Sequence, residues 1–445
     1  MKRIVASVGL VAVGATALQA DMLPGLTTES GKPWTASATL RGFYDDNFNT
    51  IPNNQPIPHG YSRGSAGFEV SPALLFSFPM EQTSITFGAV YSLKYYDETP
   101  LNQTQNYDQT FEFDAGLTHA FSERYQITVK DSFVIGQEPD FLRAGNTFTT
   151  FQRISGDNQR NYGVITFSAQ LTPELSLEAG YANTYYAYAD DSYPAVPPAV
   201  QTVTPSLAGL MNELDNVAHL DLRYQLQPQT IGVAGFQFRD TDYTANQPIG
   251  NYGPPPPAQQ TIVMSNERNV RSYYMYAGLD QNFRPDLTGS LRAGAYYSDY
   301  YNNPQGQNDW SPYALLSLRY TYLPESYLEF GFTYDYSPSS VFSANNAGDI
   351  TLNVQAATVY VSLNHRITPK LYGSIIAQFQ DSTYYGGPLD GDADKYFLIG
   401  LNLSYRFTPN FSAEVGYNYD DFNSGETTLG TYNRNRVYVG VTGSY

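Results

Sequence analysis

The sequence predicts an all-β protein: a transmembrane antiparallel up-and-down β-barrel of about 18 strands, with short periplasmic turns and long extracellular loops. Three observations carry this. Apolar and polar residues alternate with period two over segment after segment. Short turn-like tetrads recur along the chain, and the connections between them come in two very different lengths. No run of about 18 apolar residues follows the amino-terminal segment, so no spanning helix is available.

The chain opens MKRIVASVGLVAVGATALQA. Lys2 and Arg3 form a basic start, Ile4 to Leu18 an apolar stretch, and Gln19-Ala20 a small-residue exit. That order reads as a secretory signal peptide over residues 1–20, too short and wrongly flanked for a membrane span. A periplasmic amino-terminal segment is expected over 21–34 and the barrel over 35–445. The compartment implied is the cell outer membrane of a Gram-negative-type bacterium.

Composition narrows the function classes. The chain holds 40 Tyr and 25 Phe, yet only 15% of residues are charged, with a formal net charge of −18. An acidic balance opposes nucleic-acid binding, which needs a basic footprint. Cysteine is absent, which removes disulfide frameworks, thiolate metal sites and Cys nucleophiles together.

The turns set the count. Phe78-Pro79-Met80-Glu81, Phe121-Ser122-Glu123-Arg124, Leu171-Thr172-Pro173-Glu174 and Leu226-Gln227-Pro228-Gln229 are followed by Phe283-Arg284-Pro285-Asp286, Tyr322-Leu323-Pro324-Glu325, Ile367-Thr368-Pro369-Lys370 and Phe407-Thr408-Pro409-Asn410. All but the second contain Pro, which presets φ for a tight turn and cannot donate to a ladder. Between them, residues 398–407 place Ile399, Leu401, Leu403, Tyr405 and Phe407 on one face. Residues 85–95, 111–121, 287–297, 328–334 and 359–367 repeat the alternation. The other connections, such as 190–212 and 244–265, are long. Nine hairpins, hence about 18 strands, follow from eight turns. A change of phase within 231–239 predicts either a bulge there or a count of 16.

Inward charges follow from the alternation. The pore-lining candidates are the basic residues Arg41, Lys94, Lys130, Arg223, Arg292, Arg319, Arg366 and Arg406, the acids Glu69, Glu112, Asp114, Glu178, Asp221, Asp280, Glu329 and Glu414, and His219. Bases and acids balance, so the wall is nearly neutral and the acidic excess lies in loops. Opposed signs on such a wall set a field on permeating solutes, or else pair off inside a plugged barrel.

Catalysis has little to work with, and no catalytic residue is expected. His119 and His365 fall at the periplasmic rim, His219 within a strand, and only His59 in an extracellular loop. Asp390, Asp392 and Asp394 space three carboxylates at alternate positions in a loop, a set of hard ligands suited to Ca²⁺. The EF-hand pattern departs at Lys395 and Leu401, and a solvated acidic loop is the other reading. No other cofactor is implied. The Pro-rich stretches 193–205 and 250–259 either fold over the mouth or project outward. Val437, Val439, Val441 and Tyr445 share one face of the last strand, and a terminal amphipathic strand ending on an aromatic residue resembles the signal read by the barrel assembly machinery.

Tyr44-Asp45-Asp46-Asn47, on the first predicted strand of a chain built from strand pairs, resembles the amino-terminal element of the putative β-barrel porin 2 family. The resemblance implies an outer-membrane barrel, often encoded beside exopolysaccharide genes, and it supplies no catalytic residues. Period two places Tyr44 toward lipid and Asp45 toward the lumen. Aromatic-then-acid pairs recur at Tyr95-Tyr96-Asp97-Glu98 and Tyr419-Asp420-Asp421, which marks them as the upper ends of strands. The function expected is a porin-like channel for passive diffusion of small hydrophilic solutes, with a mild cation preference. The alternative is an exopolysaccharide-associated or surface-scaffold barrel without an open pore, in which Tyr96, Tyr274, Tyr276, Tyr296, Tyr360 and Tyr372 give sugars a sliding surface. Partners expected are outer-membrane lipid, lipopolysaccharide bridged through rim acids, the assembly machinery, and small solutes or polysaccharide.

Overall fold

A computed structural model of the chain describes residues 32–101, 104–137, 158–189, 203, 205–254, 260–337, 339–425 and 430–445. The signal peptide and most of the periplasmic segment expected before residue 32 lie outside them.

Strands follow the alternation closely. They are β1 (Trp34–Asp45), β2 (Ser65–Pro79), β3 (Thr83–Tyr96), β4 (Tyr107–Ala120), β5 (Tyr125–Gly136) and β6 (Asn158–Gln170). Next come β7 (Leu175–Tyr188), a short helix α1 (Leu207–Met211), β8 (Glu213–Gln227) and β9 (Thr230–Tyr243). A small hairpin, β10 (Pro248–Tyr252) and β11 (Thr261–Met264), precedes β12 (Val270–Arg284), β13 (Leu287–Asp299), β14 (Asn308–Leu323) and β15 (Ser326–Ser337). The chain ends with β16 (Asn353–Arg366), β17 (Leu371–Tyr385), β18 (Ala393–Thr408), β19 (Phe411–Asn423) and β20 (Tyr432–Ser444). Leaving aside the β10–β11 hairpin, these form one 18-stranded antiparallel sheet. Each strand pairs with its sequence neighbour, and β1 pairs with β20 from Ser37↔Ser444 to Asp45↔Arg436. The sheet is therefore closed, which leaves no backbone edge to face lipid.

All eight predicted tetrads are turns between consecutive strands. Their neighbours on the other rim are the long connections. The phase change near residue 231 is not a bulge: β9 pairs with β12 without a shift from Thr230↔Gln281 to Thr241↔Val270. Ile231 and Val233 are simply apolar residues on the inward face, and the irregularity sits in the turn at Gln225/Gln227. The count is 18 rather than 16.

The two faces differ in chemistry. Leu40, Leu74, Phe87, Phe113, Ile165, Leu220, Phe236, Leu279, Leu291, Phe397 and Val439 are exposed on the outside, as a lipid-facing band requires. Buried residues on the inner side are largely polar or Tyr.

The inner wall as candidate functional site

The predicted inward charges form three groups. At the seam, Arg41 donates from Nε to Glu414 Oε1 at 2.5 Å and lies 3.7 Å from Glu69 through Nη1. Lys94 is the register partner of Glu69 and sits 4.9 Å from the centroid of Phe43 and 5.1 Å from that of Tyr96. Glu112 and Asp114 on β4, and Lys130 on β5, continue the inward face, with Asp114 opposite Ser132 and Lys130 opposite Gly116.

The second group lies on β7, β8, β12 and β13. Arg223 lies 3.7 Å from Glu178 and 2.7 Å from Asp280, which Arg292 also engages at 2.8 Å. Tyr276 donates its hydroxyl to Asp221 at 2.5 Å, and His219 Nε2 lies 3.9 Å from Glu178. All of these side chains are largely withdrawn from water, so their charges act in a low local dielectric and are held by pairing. At the periplasmic rim, Arg319 meets Glu329 at 3.4 Å and Arg366 meets Glu325 at 3.1 Å, while Arg406 lies over Tyr372 at 5.3 Å.

A repeated device keeps these side chains against the wall. Gly180, Gly235, Gly278, Gly331, Gly416 and Gly440 are the register partners of His219, Tyr276, Arg292, Tyr360, Tyr438 and Arg41 respectively. In each pair an added Cβ on the glycine would run into the neighbour's side chain. The large group lies flat across the space that a side chain would fill, so bulk is moved off the barrel axis.

The described parts of three long connections fold inward on one side. Leu210 and Met211 of α1, Ile249 of β10, Val263 of β11, and Ile350 and Leu352 before β16 form one buried cluster with Tyr188, Tyr274, Tyr276, Tyr296, Tyr300, Tyr313 and Tyr336. Arg268 fastens them. It is 0% exposed, donates to the carbonyls of Leu210 and, at 2.9 Å, Ser339, and lies 4.1 Å from the ring centroid of Tyr243. One guanidinium thus ties the α1 connection, the β9–β12 connection and the β15–β16 connection. Beside it, burial raises the Glu267 carboxyl above its ordinary range, although its Oε1 accepts from the Met264 N–H at 2.9 Å. Tyr301, whose hydroxyl donates to Asp242 at 2.7 Å, is pushed up to about 12 by burial and that bond.

Other inward charges were readable from the same alternation but did not figure among the candidates. Asp45 accepts three bonds from Arg434, with both side chains 1% exposed. Arg436 pairs with Asp420 at 2.6 Å, and Arg239 with Asp215 at 2.8 Å. Placing Val437 outward already places Arg434 and Arg436 inward.

Several expectations are corrected. Asp390, Asp392 and Asp394 do not converge. Asp394 is in β18, buried, and accepts from Tyr384 and Ser424, while Asp390 accepts the Gly386 N–H at 3.0 Å. Among the described residues no group of three such ligands could hold a metal ion. Tyr274 and Tyr296 are 0% and 1% exposed beneath the folded-in loops, and Tyr96 is 0% exposed, with the ring of Phe48 stacked 5.1 Å from it. They present no continuous sugar surface. Of the Pro-rich stretches, Val203 donates its N–H to Asn251 Oδ1 at 3.0 Å and Tyr252 packs on the loop cluster; residues 193–202, 204 and 255–259 lie outside the described residues. His119 bonds to Thr83 at 2.8 Å and His365 to Tyr322 at 2.8 Å, as rim residues.

Closure, an outward apolar band and an inward polar wall define a porin-like membrane β-barrel. The family described as putative beta-barrel porin 2 matches residues 354–445, from the start of β16 to the carboxy terminus. Tyr44–Asn47, which carried the resemblance, lies outside that match but packs against its last strand through Asp45 and Asp46. Among solved structures, the outer membrane protein opdK from Pseudomonas aeruginosa is similar at TM-score 0.43 and 11% identity, over 93% of this chain and 99% of that one. OccAB4 from Acinetobacter baumannii gives 0.43 and 11%, over 94% and 100%. A mutant ferric enterobactin receptor PfeA from Pseudomonas aeruginosa, in complex with enterobactin, gives 0.45 and 9%, over 94% and 82%. No curated protein matches the chain.

Proposed function

We propose that the chain is an outer-membrane channel for passive diffusion of small hydrophilic solutes, without catalytic activity. The observation that carries this is a closed sheet of 18 strands whose inward bulk is laid flat over register-partner glycines. A barrel of about this strand number is wide enough for an aqueous lumen. The paired wall charges Arg41, Glu69, Glu414, Glu178, Arg223, Asp280 and Arg292 line the route, and the folded-in loops narrow it at one side. A net charge of −18 favours cations by focusing the field at the mouth. In this reading lipid contacts the apolar band, lipopolysaccharide meets the rim acids, and the assembly machinery reads β20. The family description supports the same class. The exopolysaccharide alternative has less support, because most of the tyrosines it needs are covered. Liposome swelling with sugars of graded size tests the reading. Uptake that falls with solute size supports it, and no uptake by correctly folded protein refutes it.

A further inference from the structure

One row on the outer face breaks the apolar band. Asp131, Gly163, Asn183, Asn216, Asp240, Arg271 and Asp299 are successive register partners across β5, β6, β7, β8, β9, β12 and β13. Strands in such barrels tilt by roughly 35–45°, so a row of partners climbs through the membrane. Its upper end is ordinary: Asp299 ends β13, Arg271 is second in β12, and Arg271 meets Asp240 at 3.4 Å. Its lower end is not. Asp131 is the seventh residue of the 12-residue β5, between Val129 and Phe133 on the outward face. Its cross-strand surroundings are Ala115 and Leu117 on β4 and Gly163 and Ile165 on β6.

A carboxylate facing hydrocarbon at that depth is costly, and such residues are rare unless they meet a partner. The strip around it is polar and small. Asn161 donates to Asp131 Oδ1 at 2.9 Å, and Tyr181 and Asn183 both donate to Asn216 Oδ1, at 2.6 and 2.9 Å. Gly163, Ala179 and Ala218 leave the surface shallow between them. On β1 to β3 the outward residues, Leu40, Val70, Leu74, Ala89 and Tyr91 among them, carry no charge.

We infer that the outward face of β5 to β8 is an interface within the membrane, and that its occupant is a second copy of this chain. The patch is complementary to itself. A carboxamide donates two N–H groups and a carboxylate accepts at both oxygens, and the bond between Asn161 and Asp131 uses one of each. A twofold axis along the membrane normal holds two copies at equal depth. Asn161 of one copy then donates to Asp131 of the other, and the reverse, as a self-complementary contact requires. The small outward residues let the two walls approach.

The absence of native cysteine makes the test clean. Ile165→Cys on β6 and Leu74→Cys on β2 are both exposed outward, at 43% and 46%. Each full-length variant is folded into bilayers, checked by its heat-modifiable gel mobility, and oxidised mildly. The interface predicts a homodimer band for Ile165→Cys, none for Leu74→Cys, and a several-fold loss of the band when Asp131→Leu is added. Ala179→Cys is the second reporter should Ile165→Cys fold poorly. No homodimer at either β6 or β7, equal bands at both walls, a band indifferent to Asp131→Leu, or linkage only to a different protein each overturns it. The result is independent of the channel reading, since a dimer without conductance separates the two.

Discussion

Asp45 and Arg434 stand 389 positions apart in the chain and form a forked ion pair across the seam that closes the barrel, with Arg434 Nε 2.9 Å and Nη2 2.5 Å from Asp45 Oδ2. Next to it, Asp46 accepts from the Asn435 N–H at 2.6 Å and its carboxamide at 2.7 Å. Two adjacent acids therefore point to opposite faces and each fixes the register of β1 on β20. Removing one member of a buried pair strands the other, at about 3–5 kcal/mol. Asp45→Asn is expected to lower the urea midpoint by that order, and Asp45→Asn with Arg434→Met to recover part of it. Equilibrium unfolding in lipid, read by gel mobility, checks both.

Arg268 is expected to hold the inward loops as a unit. Arg268→Ala removes charged hydrogen bonds to two carbonyls worth about 1.5–3 kcal/mol each. The barrel should survive, because none of its ladders depends on that side chain. Amide exchange should speed up in residues 207–211 and 339–352, and single-channel current should become noisier. Unchanged exchange in both segments would show that the apolar cluster alone holds them.

The glycine pairs predict a narrower pore when filled. In Gly416→Ala the new methyl displaces the Tyr438 ring toward the lumen, and in Gly235→Ala it displaces Tyr276. Overpacking of this kind costs about 1–3 kcal/mol. Conductance should fall in Gly416→Ala and return in Gly416→Ala with Tyr438→Ala. Thermal melting and bilayer current on the three proteins test this.

A pH effect is expected at the loop cluster. The folded pKa of Glu267 is raised by burial, so the packed loop favours its protonated form. The loop is then firmest at pH below the ordinary carboxylate value and loosens as pH rises through the raised one. Glu267→Gln keeps an acceptor for the Met264 N–H and removes the titration. Protection of residues 261–268 relative to intrinsic exchange should fall as pH rises past the ordinary carboxylate range in the parent and should not do so in the variant.

The strands and turns were legible because both are local. Period two is written in residues such as Leu401, Leu403 and Tyr405, and Pro at Pro173, Pro285 or Pro409 marks a turn without reference to anything distant. Facing was legible on the same ground, which is why Arg41, Glu69, Arg223 and Asp280 were placed inward. Pairing was not. Arg41 meets Glu414 only because the sheet closes, and nothing near either residue says so. The loop cluster was hidden for a related reason: Leu210, Ile249 and Ile350 carry no period, and Arg268 reads as one charge in a polar loop. Asp394 was misplaced because three alternate acids suit a loop, whereas the third had already entered β18. Asp131 shows the converse, since parity alone puts it outward and only the depth of β5 makes that unusual.

Conductance in planar bilayers tests the central claim most directly. Folded protein, added at low concentration, should give discrete current steps, with reversal potentials in a salt gradient displaced toward cations. Folded protein that inserts, as shown by its heat-modifiable mobility in the recovered bilayer, yet passes no current over repeated trials would contradict the account.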